Sequence, residues 1–269
     1  MKYDPIKKVL GDVVRENVIL RKLFYKLLGL MFLREWHVKR ALRQILRNAA
    51  HRPFYILDAG SGFGQYSYFL ARSFPGVVIH AVDVKQEQIE DCRKFFQKTG
   101  LSHVTFAVED LTAMQYERKF DLILSVDVME HIEDDNAVFR GFCRALKSGG
   151  VVIINTPLSA DRRAEKDEPK SFIDEHARYG YPPHELQSKL EAAGLVFDNL
   201  KFTYGRWGGT AWRIGIKFPM FMLDRSKLFF VLLPFYYLVT LPFVLLLMTM
   251  EYHSTVEAGG GLLAIARKP

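Results

Sequence analysis

The chain has 269 residues and 49% hydrophobic content, which is ample for a packed core and excludes a disordered protein. The formal net charge of +7 is unevenly placed, because residues 1–52 carry 13 Lys and Arg against 4 Asp and Glu, counted from the sequence. The two cysteines predict neither a disulfide framework nor a clustered metal site, so no metal ion is expected. With no secretory signal in the opening residues, a reducing cytoplasm is favoured.

The first 52 residues predict a basic, amphipathic helical arm. Within it, RKLFYKLLGLMFLREWHVKR at residues 21–40 interleaves Leu and Phe with cations along a helical stretch. This interleaving is typical of a membrane-facing helix, and no base-reading motif is present. We therefore expect no nucleic-acid partner.

Residues 54–64, FYILDAGSGFG, predict a buried strand that runs into a glycine-rich turn and a helix beginning at Gln65. Gly60, Gly62 and Gly64 let the backbone adopt positive φ and approach a ligand closely. The helix N-terminus then offers free N–H groups to polar ligand atoms. A dinucleotide fingerprint, G-x-G-x-x-G, does not fit, because its third glycine would fall on Gln65.

Further strand-like segments follow at the rhythm of βαβ units. They are VVIHAVDV at 77–84, VTFAVEDL at 104–111, KFDLILSV at 119–126, VVIINTPL at 151–158 and a sixth segment ending at 203. This rhythm predicts a parallel sheet with helices on both faces and ligands at the carboxyl ends of the strands. Asp58, Asp83, Asp110 and Asp127 all stand at such ends.

These landmarks resemble those of the class I S-adenosylmethionine-dependent methyltransferases, and of the ubiquinone and menaquinone type in particular. Residues 58–64, DAGSGFG, match the motif D-x-G-x-G-x-G at every fixed position. The resemblance implies an α/β, Rossmann-like sheet of six parallel strands and an antiparallel strand seven. It also implies S-adenosyl-L-methionine as the cofactor and methyltransferase activity.

The resemblance assigns cofactor-binding residues to the strand ends. They are Asp58, Gly60, Ser61, Gly62, Gly64, Asp83, Val84, Asp110, Leu111 and Asp127. Asp58 and the turn would hold the methionine part, Asp83 the ribose and Asp110 the adenine. Asp127 would line the floor near the sulfonium. Each acid could instead cap a helix or bond to nearby backbone.

Candidate catalytic residues follow strands four and five. Glu130 and His131 resemble the E-H-[IV] signature that also occurs in cyclopropane fatty acid synthases, where the pair holds a bicarbonate ion. A histidine suits a general base near neutral pH. His176 and Tyr179 lie in FIDEHARYGYPPHEL, residues 172–186, and are predicted on the acceptor side. All four could also have purely structural roles.

The segment LFFVLLPFYYLVTLPFVLLLMTM, residues 228–250, carries no charge and is long enough to cross a ~30 Å hydrocarbon core. However, GLLAIARKP at the end of the sequence is predicted to be strand seven, paired with strand six. A single crossing would put these strands on opposite sides of a membrane, so residues 204–260 must leave and return on one side.

We therefore predict a monotopic or peripheral insertion at the cytoplasmic face of a membrane. Pro234 and Pro242 are expected to break it into helices of about eight residues. Trp207, Trp212 and several cations suit lipid headgroups. The N-terminal arm is expected to dock beside the insertion. A helical cap on a soluble enzyme and a homodimer interface are the alternatives.

The predicted organisation has four regions: a basic arm at 1–52, a methyltransferase core at 53–203, an apolar insertion at 204–260 and a last core strand at 261–269. The favoured function is methylation of a lipid-like acceptor, such as a quinone precursor, an isoprenoid or a phospholipid headgroup, at the membrane surface. The alternatives are a cyclopropane-synthase-like enzyme, a soluble small-molecule methyltransferase and an inactive cofactor-binding membrane adaptor.

Overall fold

The computed structural model describes residues 17–47, 53–159, 177–226 and 228–269. Parts of the predicted arm, residues 1–16 and 48–52, therefore lie outside the described residues. The strands are β1 Phe54–Ala59, β2 Val77–Asp83, β3 Val104–Val108, β4 Phe120–Val126, β5 Leu146–Pro157, β6 Val196–Thr203 and β7 Gly261–Arg267. The first helices are α1 Val18–Met31, α2 Leu33–Leu46, α3 Gln65–Ser73, α4 Gln86–Thr99, α5 Asp135–Ala145 and α6 Pro183–Ala192.

The seven strands form one sheet in the order β3-β2-β1-β4-β5-β7-β6. The ladders joining β1 to β5 are parallel, whereas β7 runs antiparallel between β5 and β6. Ile265 of β7 thus stands beside Ile153 of β5 on one side and Asn199 of β6 on the other. The predicted Rossmann-like sheet with an antiparallel strand seven is confirmed.

Both faces of the sheet are covered by apolar side chains, as the alternation along its strands requires. In β1, Ile56 belongs to the cluster that packs under α1 to α4, whereas its neighbour Leu57 belongs to the cluster under α5 and α6. Both side chains are fully buried. The sheet is therefore the rigid layer that fixes where each strand end lies.

The helical arm packs mainly on this sheet. Val38, Leu42 and Leu46 of α2 are buried in the same cluster as Ile56. Leu33, at the start of α2, instead contacts the insertion between β6 and β7. The prediction that the arm docks beside the insertion holds for part of α2, because Leu33 packs on the insertion and Arg40 stacks on Tyr252 within it. Most of the apolar stripe of α2 covers the sheet.

The insertion forms a helical hairpin. Its first limb comprises α7 Arg206–Trp212, a π-helical turn Arg213–Lys217 and α8 Phe218–Arg225, and its second limb is α9 Phe229–Tyr252. Pro234 and Pro242 both lie inside α9. The prediction that these prolines break the segment into short helices is therefore wrong.

Two tyrosines between the prolines of α9 bond to the first limb. The hydroxyls of Tyr236 and Tyr237 donate hydrogen bonds of 2.7 Å to the carbonyls of Ile214 and Gly215 in the π-helical turn. A proline removes one main-chain donor and crowds the preceding turn. These two hydrogen bonds tie the residues between the prolines to the first limb, and α9 is one helix through both prolines.

The two limbs also meet at the root of the hairpin. The Glu251 carboxylate, buried at the end of α9, accepts a 2.6 Å hydrogen bond from the N–H of Gly208 in the first turn of α7. A Cβ at Gly208 would collide with that carboxyl group, so the close approach requires glycine. Glu251 thus satisfies a helix N-terminal donor and fixes the angle between the limbs.

We predict that Glu251→Ala lowers the free energy of unfolding by about 1–3 kcal/mol, because the buried Gly208 N–H loses its partner. Denaturant unfolding measures this loss. Glu257→Ala removes an exposed carboxylate from the next segment and is the matched control. Equal stability of the two variants would contradict the role given to Glu251.

Candidate functional site

The glycine-rich turn at the end of β1 depends on positive φ angles. Gly60, Gly62 and Gly64 have φ of 80°, 51° and 74°. A Cβ at Gly60 would collide with the side chain of Val128. A Cβ at Gly62 would meet open space, so the backbone is bare on the side where a ligand would approach.

Hydrogen bonds from the next strand hold this turn. The N–H groups of Gly60 and Ser61 both donate to the carbonyl of Val82 at 2.9 Å. The hydroxyl of Ser61 is buried and has no hydrogen-bond partner among the described residues. Buried polar groups are usually paired, so this hydroxyl fits a polar ligand atom.

Asp83 lies directly beside the turn. Its carboxylate accepts 2.9 Å bonds from the N–H of Gly62 and from the N–H of Lys85. The side chain is only partly buried, so its oxygens can accept further hydrogen bonds from a ligand. Val84, the next predicted cofactor residue, is exposed at the same edge.

Asp58 supports the turn from below. Its carboxyl group is buried and accepts a 2.6 Å hydrogen bond from the hydroxyl of Ser67 in α3. Burial raises its pKa to about 6, although the Ser67 hydrogen bond acts in the opposite direction. Direct contact between Asp58 and the cofactor stays a prediction.

The end of β3 places the predicted adenine-side residues on the same edge of the sheet. The carboxylate of Asp110 accepts hydrogen bonds from the main-chain N–H and the hydroxyl of Thr112, at 2.8 and 2.7 Å. The side chain of Leu111 is buried in the core, which leaves its main chain for a ligand. Their cofactor roles stay predictions.

Asp127, at the exit of β4, joins three parts of the chain. It has a φ of 53°, unusual for a residue with a side chain, and its carboxylate pairs with Arg34 of α2. The N–H of Arg34 donates a 3.2 Å hydrogen bond to the hydroxyl of Tyr204, just after β6. Sequence patterns could not reveal Arg34 or Tyr204, because Arg34 reaches Asp127, and Tyr204 reaches Arg34, only through the tertiary fold.

Glu130 lies beneath the same point and is 1% exposed. Its carboxyl group accepts a 3.1 Å hydrogen bond from the hydroxyl of Thr156. Burial, followed by the nearby Asp127 charge, raises the pKa of Glu130 to about 8. Glu130 is therefore mainly protonated at neutral pH, and a protonated carboxyl can donate a hydrogen bond.

The structure places the other predicted catalytic residues unequally. His131 ends the 3₁₀ turn Met129–His131 and has an exposed side chain. The N–H of Arg178 donates a 3.1 Å hydrogen bond to the carbonyl of Glu130, which brings the half-buried Tyr179 to this region. His176 lies outside the described residues.

Helix α1 closes on the glycine-rich turn. The buried Arg21 donates hydrogen bonds to the Phe63 carbonyl at 2.8 Å and to the Asp91 carboxylate at 2.7 Å. The Tyr25 hydroxyl donates to the same Phe63 carbonyl. Sequence reasoning treated Arg21 as one cation of a membrane-facing arm, and its buried pairing is visible only in the fold.

Comparison with known proteins shows the family. A family model described as a methyltransferase domain matches residues 51–207, more than half of the chain. The chain belongs to the class I S-adenosylmethionine-dependent methyltransferases. The confirmed sheet and the D-x-G-x-G-x-G turn agree with this assignment.

Individual relatives match over part of their length. Phosphoethanolamine N-methyltransferase 1 of Arabidopsis thaliana is 33% identical over 150 residues, which cover 55% of this chain and 28% of that enzyme. The ubiquinone biosynthesis O-methyltransferase of Shewanella sp. (strain ANA-3) is 29% identical over 103 residues, covering 38% and 42%. This chain therefore spans well under half of either relative.

A solved structure of Haemonchus contortus phosphoethanolamine N-methyltransferase 2 in complex with S-adenosyl-L-methionine is similar in fold. The TM-score is 0.59 at 19% identity, covering 86% of this chain and 52% of that one. In the present chain the glycine-rich turn fits the same cofactor. The turn has bare backbone at Gly62, a Ser61 hydroxyl without a hydrogen-bond partner among the described residues, and the adjacent Asp83 carboxylate. Among the described residues, no group of three or more His, Cys, Asp or Glu could hold a metal ion.

We predict that Gly62→Val and Asp83→Ala each weaken binding of S-adenosylmethionine at least tenfold. The valine is strained at positive φ and fills the open side of the turn, and the alanine removes a charged acceptor worth about 1.5–3 kcal/mol. Calorimetric titration measures the affinity, with Glu133→Ala as an exposed-acid control. Unchanged affinity in both variants would overturn this cofactor site.

Glu130 predicts a specific pH dependence of stability. Because its pKa rises from 4.5 to about 8 on folding, its contribution to stability is present below about pH 4.5 and is lost as pH rises through about 8. Because glutamine does not titrate, Glu130→Gln removes this pH-dependent loss of stability. The free energy of unfolding of the wild type should therefore fall relative to the variant across that interval, and parallel pH profiles would show that the Glu130 pKa is not raised.

Proposed function

We propose that the chain transfers the methyl group of S-adenosylmethionine to a lipid-like acceptor at the cytoplasmic face of a membrane. The main support is the position of the apolar hairpin. It leaves the sheet after β6 and returns at β7, at the same end of the strands as the glycine-rich turn. Thr203 pairs with Gly261 at this end, where the parallel strands have their carboxyl termini. A surface bound by the hairpin would therefore face the methyl-transfer site.

The outer face of the hairpin is apolar and exposed. Leu238 is 77% exposed, and only 6% of the most apolar stretch of α9 is buried. Among the described residues, α9 is the helix that is long and apolar enough to cross a bilayer. Soluble proteins rarely expose an apolar patch of this size. The described limbs do not cover each other's outer faces, which disfavours the self-contained helical cap.

The charges of the first limb favour a hairpin lying in the membrane interface. Arg213 and Lys217 are exposed midway along this limb, and Asp224 and Arg225 lie near its tip. Inserting the hairpin end-on would carry these groups through the hydrocarbon, which is costly. Lying in the interface, the cations can reach lipid phosphates while α9 enters one leaflet.

The polar groups around Asp127 suit the head of such an acceptor. The bound cofactor supplies a methyl group activated by a sulfonium, so the protein mainly positions the acceptor and removes its proton. In the proposal His131 takes that proton, and the protonated Glu130 orients groups beside Asp127. The names of the relatives, which act in ubiquinone biosynthesis or on phosphoethanolamine, support quinone precursors or phospholipid headgroups as acceptor classes.

We predict that His131→Ala lowers the turnover number about 100-fold or more and leaves cofactor affinity nearly unchanged, as expected for loss of a general base. Methylation of lipid extracts with labelled cofactor measures the rate. His103→Ala is the control, because His103 lies at the amino end of β3, at the opposite end of the strands from His131. A His131→Ala rate within threefold of the wild type would return His131 to a structural role.

We predict that the protein sediments with phospholipid vesicles in high salt, because apolar burial is not screened. Phe235→Glu and Leu238→Glu should each lower the partition coefficient at least about tenfold, since a carboxylate is costly in hydrocarbon. Val196→Glu places the same change on an exposed apolar residue of β6 and should bind normally. If the wild type instead forms dimers that Leu238→Glu dissociates, and binds no vesicles, the hairpin is a subunit interface.

A further inference from the structure

A cavity of about 360 Å³ lies beside the root of the hairpin, away from the glycine-rich turn. Its walls come from α2, from β6 and β7, and from the segment that follows α9. Its lining includes the side chains of His37, Arg40, Lys201, Tyr252, His253 and Ile265. We call this cavity the root pocket.

His37, which lines the root pocket, is an unsatisfied polar side chain. It is 2% exposed, and neither ring nitrogen has a hydrogen-bond partner among the described residues. Burial, followed by the charges of Lys201 and Arg40, lowers its pKa to about 3. The ring is therefore neutral and keeps one N–H that can donate. A buried donor without a partner is uncommon and fits a ligand atom in this pocket.

Two cations converge on the same space. Arg40 stacks on the ring of Tyr252 at 5.0 Å and donates a 3.3 Å hydrogen bond to its carbonyl. The half-buried Lys201 lies in β6, opposite Leu263 of β7, and its side chain lines the same pocket. Burial and the Arg40 charge lower the pKa of Lys201. The repulsion between the two cations would be relieved by an anion placed between them.

No described acidic side chain is among the lining residues of the pocket. The nearby acid that acts on Lys201 is Glu251, and its carboxylate is already bonded to the Gly208 N–H at the hairpin root. One carboxylate outside the lining thus opposes two cations, which leaves a net positive charge at the pocket among the described residues. Lys and Arg with neutral donors are the groups that bind phosphate oxygens.

We propose that the root pocket binds a phosphate group, with Arg40 and Lys201 as its charged partners and His37 as a neutral donor. The shared chemistry is a phosphate monoester or diester, which could belong to a soluble anion or to an anionic phospholipid. Residues 252–255 line the pocket and directly follow the apolar part of α9. The lipid source alone rests on the proposed function, because it needs the hairpin in the membrane interface.

Titration of the full-length chain with inorganic phosphate tests the pocket itself. The dissociation constant should rise at least about tenfold in Lys201→Gln and in Arg40→Gln, because each removes a charge-assisted hydrogen bond. Lys98→Gln removes an exposed charge from α4 and is the matched control. Lys201→Gln should keep the wild-type unfolding midpoint, whereas Arg40→Gln also loses the contacts with Tyr252. Absence of phosphate binding by the wild type, or equal weakening by Lys98→Gln, would overturn the site.

A spectroscopic readout separates pocket binding from surface charge. Phosphate should shift the histidine-ring NMR resonances of one buried histidine, His37, and raise its pKa from about 3. The same titration of Lys201→Gln should give a much smaller shift at equal phosphate concentration. A wild-type His37 signal that is unaffected at saturating phosphate would contradict the proposal.

Vesicles distinguish the two sources of phosphate. On vesicles of phosphatidylcholine with phosphatidylglycerol, Lys201→Gln should bind at least about fivefold more weakly than Lys98→Gln if the pocket takes a lipid headgroup. Equal vesicle binding, together with weakened inorganic phosphate binding, assigns the pocket to a soluble phosphate compound. If the wild type binds inorganic phosphate but does not bind these vesicles, the membrane proposal fails while the pocket stands.

Discussion

The antiparallel pairing of β7 between β5 and β6 is the constraint on which the arrangement of the site depends. Because Thr203 and Gly261 face each other at one end of the ladder, the chain between them must begin and finish at that end. Six strands run parallel, so the same end carries the glycine-rich turn, Asp83 and Asp127. The hairpin is therefore placed next to the cofactor edge by strand direction alone, whatever surface its apolar face contacts.

The helical arm contacts both the glycine-rich turn and the start of the hairpin through charged side chains. An isolated buried guanidinium would be strongly unfavourable, and Arg21 is tolerated because Asp91 and the Phe63 carbonyl accept its hydrogen bonds. One helix later, Arg34 pairs with Asp127 and its N–H reaches Tyr204 at the end of β6. The arm thus contacts both sides of the site. The sequence predicted a basic amphipathic arm docked beside the insertion, but not these pairings.

Much of the fold could be predicted because its signals are local. The alternation of strand and helix, the glycines at 60, 62 and 64 and the apolar final strand are each readable within about ten residues. Three features could not be predicted. One is the continuity of α9 through Pro234 and Pro242, between which Tyr236 and Tyr237 bond to the π-helical turn of the first limb. The pairing of Asp127 with Arg34 depends on contact between segments distant in sequence, and the raised pKa of Glu130 depends on burial that the fold creates.

The depth of the hairpin in a bilayer tests the central claim most directly. Spin labels at positions 226, 238 and 254, at the tip, the outer face of α9 and the root, report depth through their accessibility to oxygen and to a polar relaxation agent. If the hairpin lies in the membrane interface, we expect the label at position 238 in the hydrocarbon of one leaflet and the labels at 226 and 254 at headgroup depth on the same side. A label at 226 on the opposite side, or a label at 238 in water, would contradict it.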